Sequence, residues 1–280
     1  MKCEVRSIDA NNVGLFATKD IKQHEEIFRE VPFFSLDPRE MMSPHVSNAA
    51  DAQELKRCQD LLEVFANMHL GKEGFENEFP AEAREVLDRI VEIKAVDAFD
   101  RLPIESQVKW MELHDAHQSI PSGRSCVVAI VGLESEKGKA LNGRIGKIAG
   151  HNAYDRATGR WRVTFAKCES KGEKEDFDMA IKATNLKTAG GVYRTNAWHE
   201  GLFERRSRLN HSCDPNTVAT ECGDGAIAIV ARRDLREGEQ LFGSYISDHP
   251  NLPAAERREM LQGKYKFHCQ CRLCEAGIRV

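Results

Sequence analysis

The chain has 280 residues, 41% hydrophobic and 30% charged, with a formal net charge of −4 at pH 7. That size allows one large core or two modest ones, the composition excludes a disordered chain, and the small charge excludes a global pull toward nucleic acid or anionic membrane. No apolar run approaches the roughly 18 residues of a membrane helix, and the N-terminus "MKCEVRSIDANNVG" has no apolar secretory core, so a place in cytoplasm or nucleus is expected.

The first 36 residues read as short strands, "KCEVRSI", "GLFATKD" and "EEIFREVPFFSL", with Gly14, the "KD" pair and "KQHEE" supplying turns. From about residue 51 the period changes. Leu55, Cys58, Leu61, Leu62, Phe65 and Met68 recur at helical spacing. Val86, Leu87, Ile90 and Ile93 repeat the pattern after Pro80, a plausible helix start. "IESQVKWMELHDAH" after Pro103 is a third, weaker helix. This helical block is either a lid or groove wall, or a packing scaffold.

Residues 133–190 carry 12 Lys/Arg against 8 Asp/Glu and are mildly basic. Within them, 141–187 alternate short strands with tight turns at Asn142-Gly143 and "RATGR". That rhythm predicts a small barrel of about five strands, similar in pattern to SH3-like barrels. The last third returns to strands in "AIAIVARRDLREGEQLFGSYI", followed by a short helix in "LPAAERREMLQGKY" ending near Gly263. The class is α+β.

Nine cysteines in a reducing compartment do not suggest disulfides. Cys3, Cys58, Cys126, Cys168 and Cys222 are isolated and read as buried hydrophobes or idle thiols. Cys269, Cys271 and Cys274 cluster as "CQCRLC", a metal half-site in need of a fourth ligand. A redox "CRLC" would require a βαβ context that is not present here. "ERRSR" at 204–208 reads as a solvated turn rather than a nucleic-acid patch.

Four segments then stand in a telling order: "GLFA" at 14–17, "RLNHSCDPN" at 208–216, "REGEQLFGSYI" at 236–246 and "YKFHCQCRLC" at 265–274. In these the chain resembles SET-domain protein lysine methyltransferases, and most of all the SET-and-MYND subgroup, although the MYND cysteine/histidine array is not found after the first segment. The resemblance implies a SET-domain fold of several small sheets. Its parts are an N-terminal SET segment (1–36), a helical insert (37–132), an SH3-like barrel insert (133–190), a C-terminal SET segment (191–248) and a zinc-binding post-SET tail (249–280).

The same resemblance implies S-adenosylmethionine as methyl donor and a protein lysine as acceptor; the alternative is a catalytically weak scaffold recruiting partners through the barrel. Gly14, Leu15, Phe16, Asn196, Asn210, His211, Tyr245 and Phe267 correspond to cofactor contacts. Tyr245 corresponds to the catalytic tyrosine, and with Tyr265 it lines the substrate lysine channel. Cys213 corresponds to the residue that joins Cys269, Cys271 and Cys274 around one structural zinc; a buried free thiol is the other reading. The expected partner is a protein with an exposed lysine, histone or not, met by a monomer without membrane or direct nucleic-acid binding.

Overall fold

The computed structural model describes residues 2–9, 12–36, 39–40, 43, 45–47, 49–69, 81–116, 126–148, 153–167, 175–198, 201–223, 225–246 and 251–278. Pro80 and Cys168, singled out above, lie outside them. Contacts divide the chain into two units, Met1–Ser35 with Thr195–Val280, and Leu36–Arg194.

In the first unit, β1 (Cys3–Ser7) and β2 (Val13–Ala17) form an antiparallel hairpin with Arg6 opposite Gly14. Gly14 thus lies inside a strand, not in the turn expected of it. The third apolar stretch divides into β3 (Glu26–Glu30) and β4 (Phe34–Ser35). Pro32 stands between them, and without an N–H it cannot continue a ladder. β4 pairs instead with β11 (Gly201–Leu202).

β14 (Ile227–Ala231) runs between β13 (Thr217–Glu221) and β3. Its "IAIVA" is apolar throughout because a strand covered on both faces needs no alternation. β15 (Gln240–Gly243) follows the "REGEQ" turn, where Gly238 takes φ +80°. It pairs antiparallel with β2, and parallel with β12 (Asn210–His211), which sets His211 opposite Gly243. Leu15, Ile27, Phe28, Leu209, Ile229 and Leu241 pack as the core beneath these sheets.

The unit ends in two helices, Ala254–Tyr265 and Arg272–Glu275. The longer one runs past Gly263 to Tyr265, because Lys266 takes the left-handed conformation (φ 60°) that ends it.

The second unit holds α1 (Ala49–His69), α2 (Ala81–Phe99) and α3 (Ile104–Glu112). Leu55 and Cys58 meet Ile90 and Ile93, with Leu62 and Val86 alongside. Leu61 points outward at 48% exposed, so the stripe turns on Leu62. The third helix is firmer than its pattern suggested. Trp110 is fully buried, sets its edge against Phe99 at 5.1 Å and donates Nε1–H to the Ala189 carbonyl at 2.9 Å.

A six-stranded antiparallel sheet completes this unit: β5 (Cys126–Ile130), β6 (Ile145–Ile148), β7 (Tyr154–Asp155), β8 (Arg160–Phe165), β9 (Phe177–Lys182) and β10 (Leu186–Thr188). β6 to β10 match the five or so strands expected in 141–187, and β5, which lies before residue 133, is a sixth that was not expected. "CVVAI" is buried at every position between β10 and β6, and a short apolar run of that kind shows no period to read. The sheet is tied to its own unit's helical segment. Lys187 Nζ donates to the Leu113 carbonyl at 3.1 Å, and the Thr188 N–H donates to the buried Asp115 carboxylate at 2.9 Å.

Of the isolated cysteines, Cys3, Cys58 and Cys126 are buried. Burial pushes the Cys126 thiol up to about 12, so it stays an unreactive hydrophobe.

Candidate active site and cysteine cluster

The parallel pairing of β12 with β15 and the antiparallel pairing of β15 with β2 bring three distant segments together. Asn210 Nδ2 donates to the Val13 carbonyl at 2.9 Å. A Cβ on Gly14 would stand 2.7 Å from Gln240 Nε2 and 3.1 Å from Asn210 Nδ2. Glycine here leaves room for the two amides. Leu15 is part of the apolar core, so its side chain is not open to a ligand. Phe16 is half-buried beneath the Arg6 guanidinium at 5.2 Å.

Tyr245 follows β15 after Ser244. Its hydroxyl donates to the Leu209 carbonyl at 2.7 Å, and its backbone N–H donates to His211 Nδ1 at 3.1 Å. Its ring lies 4.6 Å from Tyr265 and 5.3 Å from His211. Phe267 stands perpendicular to it at 6.3 Å. Enclosure of the hydroxyl pushes the phenol well above its ordinary range, although the Arg206 charge opposes the shift. Tyr245 therefore stays protonated, a donor whose proton is held by Leu209.

His211 is buried, and that burial, with the Arg257 charge, draws it down to about 4. It is neutral near pH 7. Since Nδ1 accepts from Tyr245, the proton sits on Nε2, which faces Cys213 Sγ at 3.2 Å. Both ring nitrogens are thus used inside the protein, and the main chain is what His211 offers a ligand. Asn196 is buried at the end of the Ala189–Asn196 helix, its carbonyl 3.5 Å from Ser207 Oγ.

The sulfurs of Cys213, Cys269, Cys271 and Cys274 all lie within 4.8 Å of one another. Cys213 is 3.5 Å from Cys274 and 3.9 Å from Cys269. Four thiolates around a tetrahedral ion with bonds of about 2.3 Å would stand about 3.8 Å apart, so the set fits such an ion. Burial raises the Cys213 and Cys269 thiols. Burial acts on Cys271 as well, but N–H groups of Cys274 and Cys213 outweigh it and pull that thiol down to about 7.

Three side chains that matter here escaped the sequence reading. Arg257 is 1% exposed, with Nε 3.3 Å from Cys213 and Nη2 3.5 Å from Cys274; it sets a cation against the thiolates. Asn216 closes the "NHSCDPN" run. It gives Nδ2–H to the Gln240 carbonyl at 2.8 Å and takes the Phe242 N–H at 2.7 Å, pinning β15. Arg206 was assigned to a solvated turn, yet its guanidinium lies over the Trp198 ring at 4.7 Å. Asn216 carried a signal in its motif; the arginines carried none.

A family model for the SET domain matches residues 12–246. The chain is 24% identical over 289 aligned residues to histone-lysine N-methyltransferase SET5 of Yarrowia lipolytica, covering 95% of this chain and 62% of that protein. It is 49% identical over 69 residues to SET domain and MYND-type zinc finger protein 6 of Schizosaccharomyces pombe, covering 24% of this chain and 14% of that one. To N-lysine methyltransferase SMYD2-B of Danio rerio it is 37% identical over 73 residues, covering 26% and 16%. The chain spans less than two thirds of each of these relatives.

Proposed function

The chain belongs to the SET-domain family, and from that premise we propose that it is an S-adenosylmethionine-dependent protein lysine methyltransferase. Relatives named as histone-lysine and N-lysine methyltransferases support a protein lysine, in a histone or another protein, as the acceptor. The cofactor supplies, when bound, a methyl group activated on a sulfonium. Asn210 would hold its amino-acid end, with Asn196 and the main chain at Gly14, Leu15, Phe16 and His211. The half-buried Phe267 offers a ring face for the adenine.

The observation that carries the reading is the Tyr245 hydroxyl, protonated, fixed on the Leu209 carbonyl and walled by Tyr265. A lysine amine has an ordinary pKa of about 10.4 and attacks only when neutral. Desolvation against Tyr245 and Tyr265 favours the neutral form, and the fixed phenol oxygen orients it. Cys213, Cys269, Cys271 and Cys274 hold one structural zinc in this reading, backed by Arg257. The sheet of the second unit is read as an SH3-like barrel.

Methyl transfer from labelled cofactor to a protein lysate, read by mass spectrometry, tests the activity. Tyr245→Phe is expected to lower turnover roughly a hundredfold with cofactor affinity nearly intact. Unchanged turnover would remove Tyr245 from the chemistry.

A further inference from the structure

The Glu30 carboxylate accepts the backbone N–H groups of Arg205 at 3.1 Å and Arg206 at 2.6 Å. With Glu30 engaged on the main chain, the Arg206 side chain helps line a cavity of about 290 Å³ that Tyr245, Leu209 and Trp198 also line. Its Nε is buried and meets no acceptor among the described residues. A buried cationic donor without an acceptor is costly until a partner arrives. Burial draws the guanidinium down to about 10 against Tyr245, Tyr265 and Glu30, so it stays charged at neutral pH.

The cavity shares the Tyr245 wall with the reaction centre, but Gly14, Asn210, His211 and Phe267 do not line it. Its occupant therefore belongs to the acceptor rather than to the methyl donor. Leu209, Val218 and Ile246 give the cavity an apolar side, while Arg232 and Arg257 add basic groups to its lining and no carboxylate lines it; a guanidinium matches a carboxylate through paired N–H···O bonds. The Trp198 face already supports the cation, so little ordering is left for binding.

We propose that this cavity is a recognition pocket for an Asp or Glu side chain of the protein substrate, one or two residues from the methylated lysine. The inference rests on the methyltransferase reading, which is what brings a lysine to Tyr245. Consecutive Cα atoms are about 3.8 Å apart, so only near neighbours of that lysine reach a cavity sharing the Tyr245 wall.

The test uses C-terminally amidated peptides with one central lysine and Asp, Glu, Ala or Lys at each flanking position. Binding to the full chain is read by fluorescence anisotropy, and methylation by incorporation of labelled methyl. Acidic peptides are expected to bind roughly tenfold more tightly than alanine peptides. Arg206→Gln should erase that ratio, and Arg206→Glu should reverse it toward lysine-flanked peptides. Arg206→Lys keeps the charge over Trp198 if the neutral variant does not fold, and should shrink the ratio by losing the paired bonds.

Equal binding of acidic and neutral peptides to the wild type overturns the pocket, even where methylation proceeds. A ratio that survives in every folded Arg206 variant overturns the role of Arg206. Acid-selective binding without methylation supports the pocket and sinks the methyltransferase reading instead.

Discussion

Gly14 has an ordinary strand conformation, so its requirement is one of space. A methyl group there meets Gln240 Nε2 and Asn210 Nδ2, both ends of movable amides. Gly14→Ala should therefore cost the fold only about 1 kcal/mol while displacing Asn210 from the Val13 carbonyl. Cofactor affinity is expected to fall about tenfold, the scale of one misplaced polar contact. Thermal melts and cofactor titration on the same samples separate the two effects. An intact affinity would mean that Asn210 does not hold the cofactor. His211 teaches the same lesson from the other side. It stands within the motif, yet its ring serves Tyr245 and Cys213, while its backbone pairs with β15.

Among the elements, the C-terminal helices pack on one small cluster. Leu261 is fully buried in it with Ile246, Cys213, Cys269 and Cys274, and Met260, Tyr265, Phe267 and Leu273 lie against it. A metal bound by the four thiols would add to what that burial supplies. It would also hold Tyr265 and Phe267 beside Tyr245. Cys213→Ala should lower bound zinc from about one equivalent toward none. Tail proteolysis should rise and cofactor affinity fall together, although Cys213 is not among the residues read as cofactor contacts. Metal analysis of purified wild type and variant reads this directly; a variant that retains its zinc would show that the fourth ligand is another residue.

At the scale of the whole molecule, the second unit decides how the chain tolerates surgery. Excision of 141–187 cuts through that unit's sheet. It removes β6, β7, β8, β9 and most of β10 but leaves β5, whose Val128 and Ile130 are fully buried and whose two edges then lie open. Exposed apolar strands with free edges associate. A Gly/Ser linker in place of 141–187 should therefore give aggregated protein on size exclusion. A monodisperse product with normal melting would show that the sheet is dispensable to its unit.

Much of this was legible in order along the chain. Helical stripes in α1 and α2, turn chemistry before β15 and the cysteine spacing are local patterns, set by residues near one another. The four motifs, taken with the family they resemble, point to Tyr245 and to the four cysteines, whose sulfurs the fold does bring together. What only the tertiary structure decided concerns contacts between residues far apart in sequence. The strand β5 lacks alternation because both its faces are covered, and coverage is a property of the neighbours. Gly14 is required by side chains arriving from Asn210 and Gln240. Arg206 and Arg257 look like any surface arginine in the sequence; burial, the orphaned Nε of the first and the thiols facing the second are what distinguish them. Charge and motif are written in the chain, but desolvation is produced by the fold.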